Sequence, residues 1–144
     1  MKKEILRTQN ELETLKVAEE FTKKILSKPV SNKLIFLKGE LGAGKTIFAK
    51  GVAKALGISK TVESPTFVFV REYQEGKVPF YHFDLYRIKN ASELDEIGFF
   101  EYLSREGIIL VEWAEKAECC AVPDITITIE KTGEKERKVR IEYA

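Results

Sequence analysis

Two kinds of apolar pattern alternate along the chain. Leu12, Leu15, Ala18, Phe21 and Ile25 recur at helical spacing, which predicts an amphipathic helix over residues 10–27, ended before Pro29. Asn10, with Glu13 three residues on, has the form of a capping box at its start. Leu34-Ile35-Phe36-Leu37 is instead continuously apolar, as a strand buried on both faces would be. Glycines follow at positions 39, 42 and 44, after which Phe48, Val52, Ala55 and Leu56 restore the helical spacing as far as Gly57. Residues 66–73 and 78–86 read as two strands joined by a turn at 74–77. Short helices are expected over 92–97, with Ser92 as its cap, and over 99–105. Ile108-Ile109-Leu110-Val111 repeats the buried-strand pattern, and Ile125–Lys131 with Arg137–Tyr143 reads as a terminal hairpin. Helices alternating with such strands predict an α/β fold whose sheet carries antiparallel additions.

Composition narrows this picture. A length of 144 residues fits one domain, 1–144, with a complete hydrophobic core. The 24 Lys and Arg against 23 Asp and Glu give a net charge of +1, which argues against holding nucleic acid by bulk electrostatics. No apolar run approaches the roughly 18 residues of a membrane span, and the polar start offers no secretory signal. The adjacent Cys119 and Cys120 form no disulfide framework and suit a reducing cytosol, so a cytoplasmic location is expected. With His82 as its one histidine, the chain has little room for a histidine-based metal centre or triad, and no metal cluster is expected.

The strongest chemical signal is Gly39-Glu40-Leu41-Gly42-Ala43-Gly44-Lys45-Thr46, a match to G-x-x-x-x-G-K-[ST]. It follows a predicted strand and opens a predicted helix, as phosphate binding requires. The backbone of Glu40, Leu41, Gly42, Ala43 and Gly44 would curl so that its N–H groups converge on phosphate. Lys45 would add a point charge, and the Thr46 hydroxyl would ligate Mg²⁺.

Such a site needs further acids. Glu112 ends the run 108–111, where a Walker-B carboxylate belongs, at the carboxyl edge of the predicted sheet. Asp84 lies within Phe80-Tyr81-His82-Phe83-Asp84-Leu85-Tyr86. Alternation puts Tyr81, Phe83 and Leu85 on one face and His82, Asp84 and Tyr86 on the other. An acid among aromatics suggests a positioned group, the alternative being a structural partner for Arg87 or Arg71. In Val62-Glu63-Ser64-Pro65-Thr66-Phe67, Thr66 or Ser64 is a candidate γ-phosphate sensor, the alternative being a plain turn. His82 reads as structural, Trp113 as core or as an anchor near the site, and the cysteine pair has no assigned role.

Four of these pieces occur in the same order in the TsaE (YjeE) family, which the chain resembles over nearly its whole length. They are residues 39–46, Glu-Ser-Pro-Thr-Phe at 63–67, His-Phe-Asp-Leu-Tyr-Arg at 82–87 and Leu-Val-Glu-Trp at 110–113. The resemblance implies a three-layer P-loop NTPase-like domain with a mixed, partly antiparallel central sheet. It implies a bacterial P-loop ATPase needed to make threonylcarbamoyladenosine beside the anticodon of tRNA; with no arginine placed as a finger beside the P-loop, hydrolysis by the chain alone is expected to be slow. Its ATP hydrolysis with Mg²⁺ would reset the TsaD–TsaB complex, with tRNA reached through that complex. By the same resemblance Lys45 and Thr46 serve phosphate and Mg²⁺, Glu112 is the second Mg²⁺ ligand, and Asp84 positions or activates water. Thr66 resembles the switch hydroxyl, Trp113 the residue beside the nucleotide, Asn10 and Glu11 neighbours of its base, and Arg137 a hairpin residue at the site. Ile47 departs from the family's frequent second threonine. A small-molecule kinase lacks an arginine-bearing lid here, and a GTPase-like switch lacks its Asn-Lys-x-Asp element.

Overall fold

The strands are β1 (Lys2–Thr8), β2 (Asn32–Gly39), β3 (Val70–Tyr73), β4 (Phe80–Asp84), β5 (Gly107–Glu112), β6 (Ile125–Lys131) and β7 (Arg137–Tyr143). The helices are α1 (Glu11–Leu26), α2 (Lys45–Ala55), α3 (Ala91–Glu96) and α4 (Phe99–Tyr102), with a 3-10 turn at Ala114–Ala117. The computed structural model describes residues 2–27, 32–40, 42–60, 62 and 68–144. Among these, the strands form one seven-stranded sheet in the order β1-β7-β6-β2-β5-β4-β3. Its centre, β6-β2-β5-β4, is parallel, while β1, β7 and β3 pair antiparallel to their neighbours. The fold is therefore the expected α/β class, with its antiparallel additions at the two flanks.

Because side chains alternate along a strand, the continuous apolar runs feed both faces of the sheet. Ile35, Leu37, Ile108 and Leu110 pack with Phe21, Phe48 and Val52 of α1 and α2. Leu34, Phe36, Ile109 and Val111 pack with Leu94 and Phe99 of α3 and α4. The result is three layers. On the first face, α1 crosses α2 at Gly51, where an added Cβ would lie 2.5 Å from the Ala18 Cβ and 2.6 Å from the Leu15 carbonyl oxygen. Any larger residue there would push the two helices apart.

Local chemistry sets the boundaries. The Glu13 N–H donates to the Asn10 side chain at 2.9 Å, and the Glu13 carboxylate accepts from the N–H of Gln9 at 2.8 Å. This cap opens α1 as expected, although the return bond reaches one residue before the cap. The cap of α3 is not Ser92 as expected but Asn90, whose side chain accepts from the Glu93 N–H at 3.2 Å. Ser92 lies inside the helix and its hydroxyl donates back to Asn90. α4 stops at Tyr102, three residues earlier than expected, and β4 ends at Asp84, where the chain turns. Strand β1 had no counterpart in the sequence reading. Most of it is exposed, since it is a flank strand held by β7 alone.

Candidate phosphate-binding site

Parallel pairing brings the carboxyl ends of β2, β4, β5 and β6 to one edge of the sheet. β7 starts at that edge, and β1, antiparallel to it, ends there with Thr8 opposite Arg137. Glu40 follows β2 into the glycine loop, and α2 begins at Lys45. Gly42 (φ 81°) and Gly44 (φ 103°) occupy the left-handed region, which explains glycine at both positions. The first turn of α2 contains no acidic residue and begins with a lysine, so the partial positive charge of the helix end is reinforced rather than offset. That arrangement suits an anion.

Lys45 is buried, and its Nζ donates to the Gly39 carbonyl at 2.7 Å. The same Nζ stands 4.0 Å from the centroid of the Trp113 ring. Trp113 has a φ of 56°, rare for a bulky residue, and its ring is tilted against Tyr86 at 4.9 Å. Lys38, Gly39, Glu40, Trp113 and Glu115 line an open cleft of about 550 Å³ beside the loop. Thr46 is exposed at the helix start. Arg137 reaches the loop from the hairpin. Its Nε donates to the Ala43 carbonyl at 2.8 Å and its Nη2 to the Gly42 carbonyl at 3.2 Å. Its Nη1 is spread over the carbonyls of Gly133, Glu134 and Glu136.

Asp84 and Glu112 are direct register partners at the ends of β4 and β5, and both are buried. Alternation places them with Phe80, His82, Ile108 and Leu110, on the face that carries α1 and α2. The sequence-derived split of the β4 faces holds through Asp84. One Asp84 oxygen accepts from the Tyr86 N–H at 2.8 Å, which closes the turn after the strand. The contact that sequence reasoning missed is between His82 Nε2 and Glu112 Oε2, 2.5 Å apart and buried. The spacing puts His82 one pleat before Asp84 on the same face, but the contact itself comes from the register of β4 on β5.

Asn10 and Glu11 follow Thr8 onto the same edge, with the Asn10 side chain engaged as the helix cap. Leu41, Ser64 and Thr66 lie outside the described residues. Among those described, no group of three or more His, Cys, Asp or Glu side chains converges as a metal cage, and no helix is long and apolar enough to cross a membrane.

The profile of the family described as "Threonylcarbamoyl adenosine biosynthesis protein TsaE" matches residues 8–139. The chain belongs to the TsaE family. The tRNA threonylcarbamoyladenosine biosynthesis protein TsaE of Aquifex aeolicus is 42% identical over 135 residues, 92% of this chain and 91% of that protein. Its namesake in Bacillus subtilis is 43% identical over 107 residues, 74% of this chain and 66% of that protein, just under two thirds of its length. The crystal structure of Bacillus subtilis YdiB superposes with a TM-score of 0.79 at 35% identity, covering 99% of this chain and 86% of that one. TsaE membership places the chain in the biosynthesis of threonylcarbamoyladenosine in tRNA.

Proposed function

We propose that the chain is a Mg²⁺-dependent, ATP-binding and ATP-hydrolysing accessory protein for tRNA threonylcarbamoylation. It acts on the TsaD–TsaB complex in the cytoplasm and turns over slowly without it. The observation that carries the reading is Lys45, held on Gly39 and Trp113 at a helix start without acids, on the same sheet edge as Asp84 and Glu112. In this reading the backbone from Glu40 to Gly44 cradles the phosphates and Lys45 neutralises them. Arg137 keeps the cradle in shape. Trp113, Asn10 and Glu11 flank the nucleotide, and Thr66 senses the γ-phosphate.

The Thr46 hydroxyl and the Glu112 carboxylate are hard oxygen donors that fit Mg²⁺, which takes few protein ligands and completes its shell with phosphate and water. The chemistry that Mg²⁺ supplies when bound is charge neutralisation between the β- and γ-phosphates. Asp84 orients the attacking water. The near-neutral net charge of +1 agrees with a protein that acts on a protein complex rather than along a nucleic acid.

Calorimetry with ATP and GTP, with phosphate release on the same preparations, tests this. Lys45→Ala should weaken ATP binding about 10- to 100-fold, the loss of a charge-assisted bond. Glu112→Gln should leave some ATP binding and lose most Mg²⁺-dependent hydrolysis. Equal ATP affinity in Lys45→Ala and wild type would remove the site. A pull-down with TsaD–TsaB, with and without ATP, tests the partner.

A further inference from the structure

His82 is a polar ring in apolar surroundings. It is 0% exposed and stacks on Phe80, with ring planes 10° apart and centroids 6.0 Å apart. Its Nδ1 is buried without a hydrogen-bond partner. Such an orphaned nitrogen is costly, so the ring's polarity must be justified at its other nitrogen. There Nε2 meets Glu112 Oε2 at 2.5 Å. An ionised carboxylate only accepts, so Nε2 is the donor in this contact. Register explains the reach. His82 is opposite Leu110 and Asp84 opposite Glu112, so His82 sits one pleat behind the acid on the same face. Glu112 leans back along the sheet to meet it.

We infer that His82 is a positioning residue for ATP hydrolysis. It holds one oxygen of Glu112 and thereby fixes the carboxylate's plane, leaving the other oxygen for Mg²⁺. It touches neither nucleotide nor metal and acts through Glu112. A glutamate at a strand end has several rotamers open to it, and a single buried donor that selects one removes an ordering cost from cation binding. The inference rests on the ATPase reading above.

The test compares wild type with His82→Leu, His82→Gln, His82→Asn, Glu112→Gln and the double variant His82→Leu/Glu112→Gln. Three quantities are measured: melting temperature, phosphate release, and ATP affinity across a Mg²⁺ series. Affinity is followed by the fluorescence of Trp113, the chain's one tryptophan. His82→Leu should bind ATP without Mg²⁺ within about twofold of wild type. It should need about tenfold more Mg²⁺ to tighten that binding, and release phosphate about tenfold more slowly. Gln places an amide N–H near the position of Nε2 and should restore most of both losses. Asn places its amide near Nδ1 and should not. In the Glu112→Gln background His82→Leu should add less than about twofold.

Three results overturn the inference. One is a wild-type Mg²⁺ response from His82→Leu. Another is equal losses in the Gln and Asn variants, which also decides the matter if the Leu variant does not fold. The third is a full His82→Leu effect on top of Glu112→Gln. Wild type that binds no ATP would instead sink the ATPase reading itself.

Discussion

The glycine loop takes its shape from backbone angles and from a guanidinium 94 residues further along the chain, whereas the acids beside it are set by two adjacent parallel strands. Gly42 and Gly44 need only conformational freedom, and Arg137 caps the carbonyls that such a turn leaves pointing outward. Asp84 and Glu112 need a strand register, and a one-residue slip of either strand would send its acid to the opposite face. The difference teaches where each half is vulnerable. The loop is sensitive to anything that loosens the hairpin, and the acids to anything that disturbs β4 against β5. Binding should follow the first and hydrolysis the second.

The sharpest way to break this comparison is Asp84→Asn. The amide oxygen can still accept from the Tyr86 N–H, so that bond of the turn survives while the carboxylate charge is lost. ATP affinity should change less than about twofold, while hydrolysis falls about 10²- to 10⁴-fold, the range of a lost proton-handling group. Melting temperature, calorimetric affinity and phosphate release on one preparation check it. A joint fall in stability, binding and turnover would make Asp84 a structural partner, and unchanged turnover would remove it from the mechanism.

Arg137→Ala should do the reverse. Two bonds to the loop and three to the hairpin are lost together. A destabilisation of about 1–3 kcal/mol follows from hydrogen bonds to a charged group, at about 2–4 °C in melting temperature per kcal/mol. ATP affinity should drop about five- to tenfold, with turnover at saturating ATP within about twofold of wild type. Arg137→Lys should recover little, since an ammonium cannot fork across the two loop carbonyls. A loss of ~10³ in saturated turnover would mean instead that the guanidinium meets the transferring phosphoryl group. The latch and the acids would then not be separate devices.

The loop was legible in the sequence because its backbone demands particular residue types at fixed spacing. The buried strands were legible because parallel strands are apolar on both faces. Strand β1 was not, since Ile5 and Leu6 are exposed and no alternation marks a flank strand that only β7 holds. Asn90 was legible by the very rule that found Asn10: in both, an Asx residue precedes a glutamate by three positions and accepts its N–H. Ser92 distracted because it belongs to the same class of cap. Contacts between strands were not legible. Spacing put His82 and Asp84 on one face, but only the register of β4 on β5 brings His82 to Glu112. Nothing local announces that Arg137 will cross from the hairpin to Gly42 and Ala43.

The smallest effect concerns Asn10, where capping and family resemblance give different reasons for the same residue. Thr8 opposite Arg137 brings the start of α1 to the sheet edge of the glycine loop, so a nucleotide base nearby is geometrically reasonable. The Asn10 side-chain oxygen, however, already accepts from the Glu13 N–H at 2.9 Å. Its main role should therefore be the cap. Asn10→Ala should cost about 1 kcal/mol, or about 2–4 °C in melting temperature, and lower ATP affinity by no more than about twofold. Asn10→Asp keeps an accepting oxygen and puts a negative charge at a helix N-terminus, so it should melt close to wild type. Scanning calorimetry and ATP titration on both variants separate the two reasons. If Asn10→Asp melts normally yet loses several-fold in ATP affinity, the side chain serves the nucleotide as well as the helix. The loop side of the site would then extend from the hairpin to the first turn of α1.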